Sequence, residues 1–179
     1  MTSASATSDA PFAIGNYTSA PLRLDMEVRF TNQSPTTVFD VMGDPEQIQN
    51  WYVLAKDTVV DEQTAETELQ FEVDFILFGK VREEVMLWNP PHHYVYRAFG
   101  EHFPFKDYVA LIEIEETEQN AGILRWKQFF TEIEGADNQR LMPVILPAHC
   151  RKRESPSRCQ SRLVRSNRRW LRTTTSSTH

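Results

Sequence analysis

The sequence predicts an α+β domain: an antiparallel sheet of six or seven strands, two short helices after the first strand, and a helix at the C-terminal end. Three observations lead to this fold class. Apolar and polar residues alternate with the two-residue period of half-buried strands over much of residues 22–133. Two capped helix starts follow the first strand directly. The later connections are too short for crossover helices, which favours a meander over a doubly wound α/β fold.

The first strand and the two helices have the clearest local signals. In residues 22–30, five apolar side chains alternate with charged ones, as in a half-buried strand. Ser34 stands before Pro35, an N-cap followed by proline at the first helical position, and Gly43 ends this helix. Asp44 and the proline after it repeat the arrangement. We therefore predict two short helices in tandem.

Six more strands and one helix complete the predicted fold. Turns such as Gly79-Lys80 and the Asn89-Pro90-Pro91 stretch separate the strands, because proline cannot continue a hydrogen-bonded ladder. An apolar run at residues 141–148 predicts the start of a final helix that covers the sheet. The predicted strands are residues 58–60, 68–75, 81–88, 94–99, 108–115 and 123–133.

The charge is distributed unevenly along the 179 residues. The chain has a net charge of −6, but nine Arg and Lys against one acid give residues 150–179 a charge of +8, which leaves −14 for the remainder. We predict a disordered leader over 1–20, a domain over 21–148 and a basic low-complexity tail over 149–179. The tail lacks the apolar stripe of an amphipathic helix. Two explanations stay open: a native basic tail, and a terminus translated in a shifted reading frame.

The composition argues against several classes of protein. Hydrophobic residues make up 40% and the mean hydropathy is −0.48, so we expect a globular chain without a transmembrane segment. No secretory signal precedes Arg23, which predicts a cytoplasmic location. Neighbouring His92 and His93 point to opposite sides of a strand, and no metal-ligand spacing is present, so no metal or other cofactor is predicted. The acidic body disfavours a specific nucleic-acid partner, and the oligomeric state stays open.

Two helical segments and two later segments resemble a known superfamily. Residues 34–41 (SPTTVFDV) and 44–51 (DPEQIQNW) resemble the S-P-x-x-V-[FW]-x-[VL] and D-P-x-x-[IL]-x-x-W segments of the START-like helix-grip superfamily, also called SRPBCC or polyketide cyclase/dehydrase-like. Residues 79–85 and 88–96 are similar to a strand and a hairpin of that group. The resemblance covers about residues 20–148. It implies a curved sheet that grips a long C-terminal helix around an apolar cavity; the change of composition after residue 148 could leave that helix truncated or altered.

The resemblance also implies a function. It predicts binding or transport of a hydrophobic small molecule, lipid-, polyketide- or aromatic-like, with a polyketide cyclase, aromatase or dehydratase as the alternative. Whether the protein is an enzyme stays open. Eleven Phe, five Tyr and four Trp can supply apolar walls, although core packing is the simpler role for any one of them. The predicted ligand-binding residues are Trp51, Phe71, Phe75, Met86, Trp88, Tyr96, Arg97, Tyr108, Trp126 and Phe130.

A few polar residues among the aromatic strands could orient a ligand: Glu84, Tyr96, Arg97, Tyr108 and Gln128. Arg97 with Glu84 or Tyr96 is the predicted acid–base pair, because a buried Arg needs a partner. The alternative is that Arg97 lies on the solvent face. An enzyme needs two ionisable groups within hydrogen-bond reach of one point in the cavity, whereas a carrier needs only apolar walls. No catalytic residue is assigned.

Overall fold

The computed structural model describes residues 12–61, 69–132 and 159–163, the last segment by its backbone only. Within these residues, eight antiparallel strands form one curved, open sheet in the order β2-β3-β4-β5-β6-β7-β1-β8. The strands are β1 (Leu22–Thr31), β2 (Ala55–Val60), β3 (Gln70–Phe75), β4 (Gly79–Asn89), β5 (His93–Phe99), β6 (Phe105–Glu118), β7 (Ala121–Glu132) and β8 (Cys159–Leu163). The predicted α+β class and antiparallel meander are confirmed.

Both predicted helix starts are confirmed by their caps. Helix α1 (Pro35–Gly43) begins after Ser34, whose Oγ accepts a hydrogen bond from the backbone N–H of Thr37 at 3.1 Å. The next turn, a 3-10 helix at Pro45–Gln47, begins after Asp44, whose Oδ1 accepts from the N–H of Glu46 at 3.0 Å. Helix α2 (Ile48–Trp51) continues this turn. The predicted C-terminal helix over 141–148 lies outside the residues that the structure describes.

The sheet has two apolar faces of unequal size. The inner face carries the main core, in which α1 buries Val38, Phe39 and Met42. Alternate residues of the central strands contribute to it, for example Val73 of β3 and Val81 of β4. The outer face carries a smaller cluster, which we call the outer cluster: Val95, Val109, Leu111 and Phe129.

Segments before and after the main sheet complete the two faces. Part of the predicted leader, residues 12–20, packs on the outer face: it contains a 3-10 turn at Ile14–Asn16, and Tyr17 and Ala20 also contact the outer cluster. Within the predicted basic tail, β8 pairs with β1, where Leu24 lies opposite Leu163. No helix in the described part of the chain is long and apolar enough to cross a bilayer.

Candidate functional site

A carboxyl group, that of Glu83 in β4, lies on the inner face among apolar side chains. Val81 and Val85, two residues to either side, are both buried in the main core, so the alternation of the strand turns Glu83 inward as well. Burial raises the pKa of the Glu83 carboxyl to about 8, because apolar surroundings disfavour its charged form. Within residues 12–61 and 69–132, no side chain forms an ion pair or a hydrogen bond with this carboxyl.

Four tyrosines lie close enough to Glu83 for its charge to act on them: Tyr52 after α2, Tyr94 and Tyr96 of β5, and Tyr108 of β6. Burial first, and the charge of Glu83 in addition, raise the pKa of all four phenols above their ordinary value. These phenols therefore stay protonated at physiological pH. The hydroxyl groups of Tyr96 and Tyr108 lie close enough for each to affect the pKa of the other.

One of these tyrosines also fixes a helix to the sheet. The hydroxyl group of Tyr94 donates a hydrogen bond to the backbone carbonyl of Met42 at 2.7 Å. Met42 belongs to the last turn of α1, where carbonyl groups lack partners within the helix. The bond therefore satisfies a buried carbonyl and holds the end of α1 beside Glu83.

Glu83 lines two small cavities, which we call the first and second hollow. The first hollow lies between residues 42–51 and strands β3 to β5, with a cavity volume of about 30 Å³. The second lies between Tyr52 and strands β3 to β7, with a volume of about 40 Å³. Each hollow has room for roughly two or three water molecules.

Seven of the ten predicted ligand-binding residues belong to this inner core. Phe130 is almost fully buried there and stacks on Tyr108, with ring centroids 6.0 Å apart, but it lines neither hollow. The other six line the hollows: Trp51, Phe71 and Tyr96 the first, and Phe75, Tyr108 and Trp126 the second.

The remaining three predicted residues lie away from both hollows. Met86 packs against the outer cluster, and Arg97 is exposed on the outer face. Trp88 is 44% exposed at the end of the sheet, where its ring contacts Phe39 of α1. Met86 follows Val85, which belongs to the inner core, so the ordinary alternation of β4 turns Met86 to the outer face.

The predicted acid–base pair lies on the outer face. Arg97 forms an ion pair with Glu84, and the Arg97 guanidinium lies 5.9 Å from the centroid of the Phe99 ring. The alternative prediction, that Arg97 lies on the solvent face, therefore describes its position. Gln128, by contrast, is buried and lines the second hollow.

Glu83 is the group that the sequence analysis missed. The sequence does contain a signal for it. Val81 and Val85 are apolar residues that suit a core, and in a strand the residue midway between them, Glu83, lies on the same face. The first hollow also adjoins Trp51, whose buried indole N–H has no hydrogen-bond partner among the residues the structure describes. The site thus combines aromatic walls, one buried acid and several hydrogen-bonding groups.

The histidines lie away from this site. His92 is exposed, and the ring of His93 packs on Phe12 with centroids 4.5 Å apart; burial lowers the pKa of His93. In the described part of the chain, no group of three His, Cys, Asp or Glu side chains is placed to hold a metal ion.

Comparison of the sequence with protein families gives a match over most of the chain. The family described as polyketide cyclase / dehydrase and lipid transport matches residues 23–170. The START-like resemblance and the predicted fold are thereby confirmed. Comparison with curated proteins finds no match.

Solved structures share the fold at low sequence identity. A START superfamily protein from Mycobacterium smegmatis has a TM-score of 0.57 and 12% identity, with 70% of this chain and 90% of that chain covered. The Zhui aromatase/cyclase from Streptomyces sp. R1128 has a TM-score of 0.56 and 9% identity, with 72% of this chain and 86% of that chain covered. The protein XoxI from Bacillus cereus has a TM-score of 0.56 and 20% identity, with 68% of this chain and 84% of that chain covered. At these identities the likeness concerns the fold alone.

Proposed function

Because this chain belongs to the polyketide cyclase/dehydrase and lipid transport family, we propose that its inner face binds a hydrophobic small molecule in the hollows beside Glu83. The position of Glu83 is the main support for this. Glu83 is half-buried and its carboxyl faces apolar side chains without a partner, which costs free energy, so a core that served stability alone would be better filled by an apolar side chain. A buried ionisable group with a strongly shifted pKa, in a concave apolar site, is typical of binding and catalytic sites.

The walls favour a ligand with a flat ring. Seven of the ten residues that line the second hollow are aromatic, and stiff rings pack best against other rings. Glu83 borders both hollows, so a ligand that enters either of them can bring a polar group to its carboxyl. We therefore propose an aromatic or polyketide-like molecule whose ring is held by apolar contact and whose polar group is oriented by Glu83.

Trp51 and Trp126 line the two hollows and provide a test of this function. Titration with 2-phenylethanol should change tryptophan fluorescence in a saturable manner. Ala98→Leu narrows the second hollow, and we expect it to weaken binding at least about fivefold. Phe99→Leu, at the next position but on the outer face, is the matched control and should bind as the natural protein does. Equal binding by a folded Ala98→Leu variant would contradict the proposal, and native mass spectrometry would detect a molecule that co-purifies.

A second function, cyclase- or dehydratase-type catalysis, is favoured by one specific observation. Glu83, Tyr96 and Tyr108 are ionisable groups at one place on the inner face. As a carboxylate, Glu83 could take a proton from the carbon next to a ligand carbonyl and return it. A phenol could donate a hydrogen bond to the enolate oxygen formed in between.

Exchange of the methyl protons of acetophenone in D₂O, followed by NMR, tests this chemistry without the natural substrate. If Glu83 is a general base, the protein accelerates exchange and Glu83→Gln reduces the acceleration by roughly 100-fold. Glu84→Gln, the same change one residue away on the outer face, should leave it unaltered. Equal exchange rates with the natural protein and with Glu83→Gln would refute catalysis and leave binding as the function.

A further inference from the structure

We propose that the site beside Glu83 selects hydrophobic molecules that carry one positive charge, such as protonated aromatic amines, over neutral or anionic molecules of the same shape. This rests on the proposed binding function, because it names the class of ligand for the same site. It follows from three features of the described residues on the inner face: the carboxyl without a partner among them, the lack of Lys, Arg and His among those that line the hollows, and the arrangement of the aromatic rings.

The hollows contain an acid and lack a base. Among the described residues that line them, Glu83 is the only acid, and none is Lys, Arg or His. Basic side chains on nearby strands face outward and are already paired, Arg97 with Glu84 and Lys127 with Glu113. The chain as described therefore supplies no cation to Glu83, and a ligand cation would be its natural counter-ion.

The rings next to Glu83 favour a cation as well. Trp51, Tyr52 and Trp126 form a cluster that borders both hollows, with ring centroids 5.8 to 6.2 Å apart. The faces of Trp and Tyr rings attract an ammonium group within about 6 Å, and desolvation strengthens this attraction. A phenol oxygen, such as that of Tyr108, can also accept a hydrogen bond from the ammonium. A carboxylate ligand would be repelled by the charged Glu83 carboxylate and would have neither the attraction to the ring faces nor the hydrogen bond to a phenol oxygen.

If the site selects a cation, the binding affinity must depend on pH, because binding is coupled to the loss of a proton from Glu83. In the empty site Glu83 holds its proton at neutral pH, since burial raises its pKa to about 8. An ammonium favours the charged carboxylate, so its binding displaces that proton, and its affinity rises about tenfold per pH unit between pH 6 and 8. A neutral ligand that accepts a hydrogen bond from the protonated carboxyl would instead bind more weakly above pH 8.

Glu83 is the group that titrates in this range. The ionisable groups that face it are Tyr52 after α2, Tyr94 and Tyr96 of β5, and Tyr108 of β6. Burial raises the pKa of each phenol above its ordinary value, so all four stay neutral between pH 6 and 9. Among the described groups around the site, the pH dependence of binding therefore reports on the Glu83 carboxyl.

The experiment compares three probes with one shared ring: 2-phenylethylammonium, 2-phenylethanol and phenylacetate. Each is titrated into the natural protein, Glu83→Gln and the matched control Glu84→Gln at pH 6, 7, 8 and 9. At pH 8 we expect the ammonium to bind at least about tenfold more tightly than the alcohol, and phenylacetate more weakly than either. Glu83→Gln should remove the preference for the ammonium, whereas Glu84→Gln should keep it.

Calorimetry in two buffers with different ionisation enthalpies measures the proton directly and does not depend on a variant. At pH 7 we expect ammonium binding to release close to one proton, and alcohol binding to release none. If the alcohol binds but the ammonium binds no better and releases no proton, the selectivity is overturned and the proposed binding function stands. If no probe binds to the folded protein, the proposed function fails first.

Discussion

Glu83 and Glu84 are the same residue type at adjacent positions of β4, and the sheet gives them opposite surroundings. Glu84 faces outward, where it is 8% exposed and forms an ion pair with Arg97, which is 55% exposed. Glu83 faces inward, and the described residues offer it no counter-charge. Burial raises the pKa of Glu83 to about 8, so it is mostly protonated at neutral pH. Which side of the sheet an acid occupies, and not its residue type, determines whether it can serve a ligand.

The two faces of the sheet differ in the same way as these two acids. The outer face combines a small apolar cluster with partly exposed ion pairs such as Lys127–Glu113 and Arg125–Glu115. Such pairs each contribute little to stability, because solvent screens them. The inner face has large aromatic side chains and two hollows between them. The inner face therefore carries both the stability of the domain and its proposed site.

The largest expected effect is on the free energy of unfolding, and it compares the replacement of one phenylalanine on the inner face with that of one on the outer face. Phe130 is 1% exposed on the inner face, so Phe130→Ala should lower the free energy of unfolding by about 3–5 kcal/mol. Phe99 is 44% exposed on the outer face, and Phe99→Ala should cost less than about 1 kcal/mol. Urea denaturation followed by circular dichroism measures both. Similar losses for the two variants would break the comparison between the faces.

The pH dependence of stability contrasts the two acids. The folded-state pKa of Glu83, about 8, lies above its unfolded value near 4.5, so the folded protein holds the extra proton between these values. The contribution of Glu83 is therefore most favourable below pH 4.5 and is lost as the pH rises to 8, by about 1 kcal/mol per pH unit. Denaturation at pH 5, 6, 7 and 8 should show this slope for the natural protein and for Glu84→Gln. In the Glu83→Gln variant, the free energy of unfolding should depend much less on pH in this range. An unchanged slope in that variant would show that Glu83 is not the group with the raised pKa.

Loss of a hydroxyl group should also matter more on the inner face. Tyr94→Phe removes the hydrogen bond to the carbonyl of Met42 and leaves that carbonyl buried, which should cost about 1–2 kcal/mol. Tyr17→Phe, in the partly exposed tyrosine that packs on the outer cluster, should change stability by less than about 0.5 kcal/mol. Thermal and urea unfolding of the two variants measure the difference. An equal effect would mean that the Tyr94 bond does not hold α1 in place.

The smallest expected effect concerns the outer ion pair. Arg97→Ala should lower stability by about 0.5–1 kcal/mol at low salt, because Arg97 is 55% exposed and the pair is screened by water. In 1 M salt the difference from the natural protein should shrink toward zero. A loss of several kcal/mol that persists in high salt would show that Glu84, which is 8% exposed, depends on Arg97 as an acid in a buried ion pair does.

The sequence by itself determined the features that depend on a few neighbouring residues. Ser34 and Asp44 cap the predicted helices because capping needs only the N–H groups two or three positions further on. The seven strands up to residue 132 also follow from local alternation and from turns at Gly and Pro. The same reasoning placed six of the ten predicted residues in the lining of the hollows, since aromatic residues in such strands mostly turn toward the larger core.

Only the tertiary structure decided which face each central strand turns toward the hollows. In β5, Tyr94, Val95 and Tyr96 are all buried, because residues 12–20 cover one face and α1 and α2 cover the other. Where both faces are covered, apolar residues follow one another without alternation, and the period of two no longer identifies the inner side. In β4, Val81 and Val85 pack in the inner core, so alternation turns Glu83 inward and Met86 outward, and the register shift after Val85 turns Leu87 outward as well. The inward position of the one acid on which the proposed site depends was thus set by contacts between distant parts of the chain.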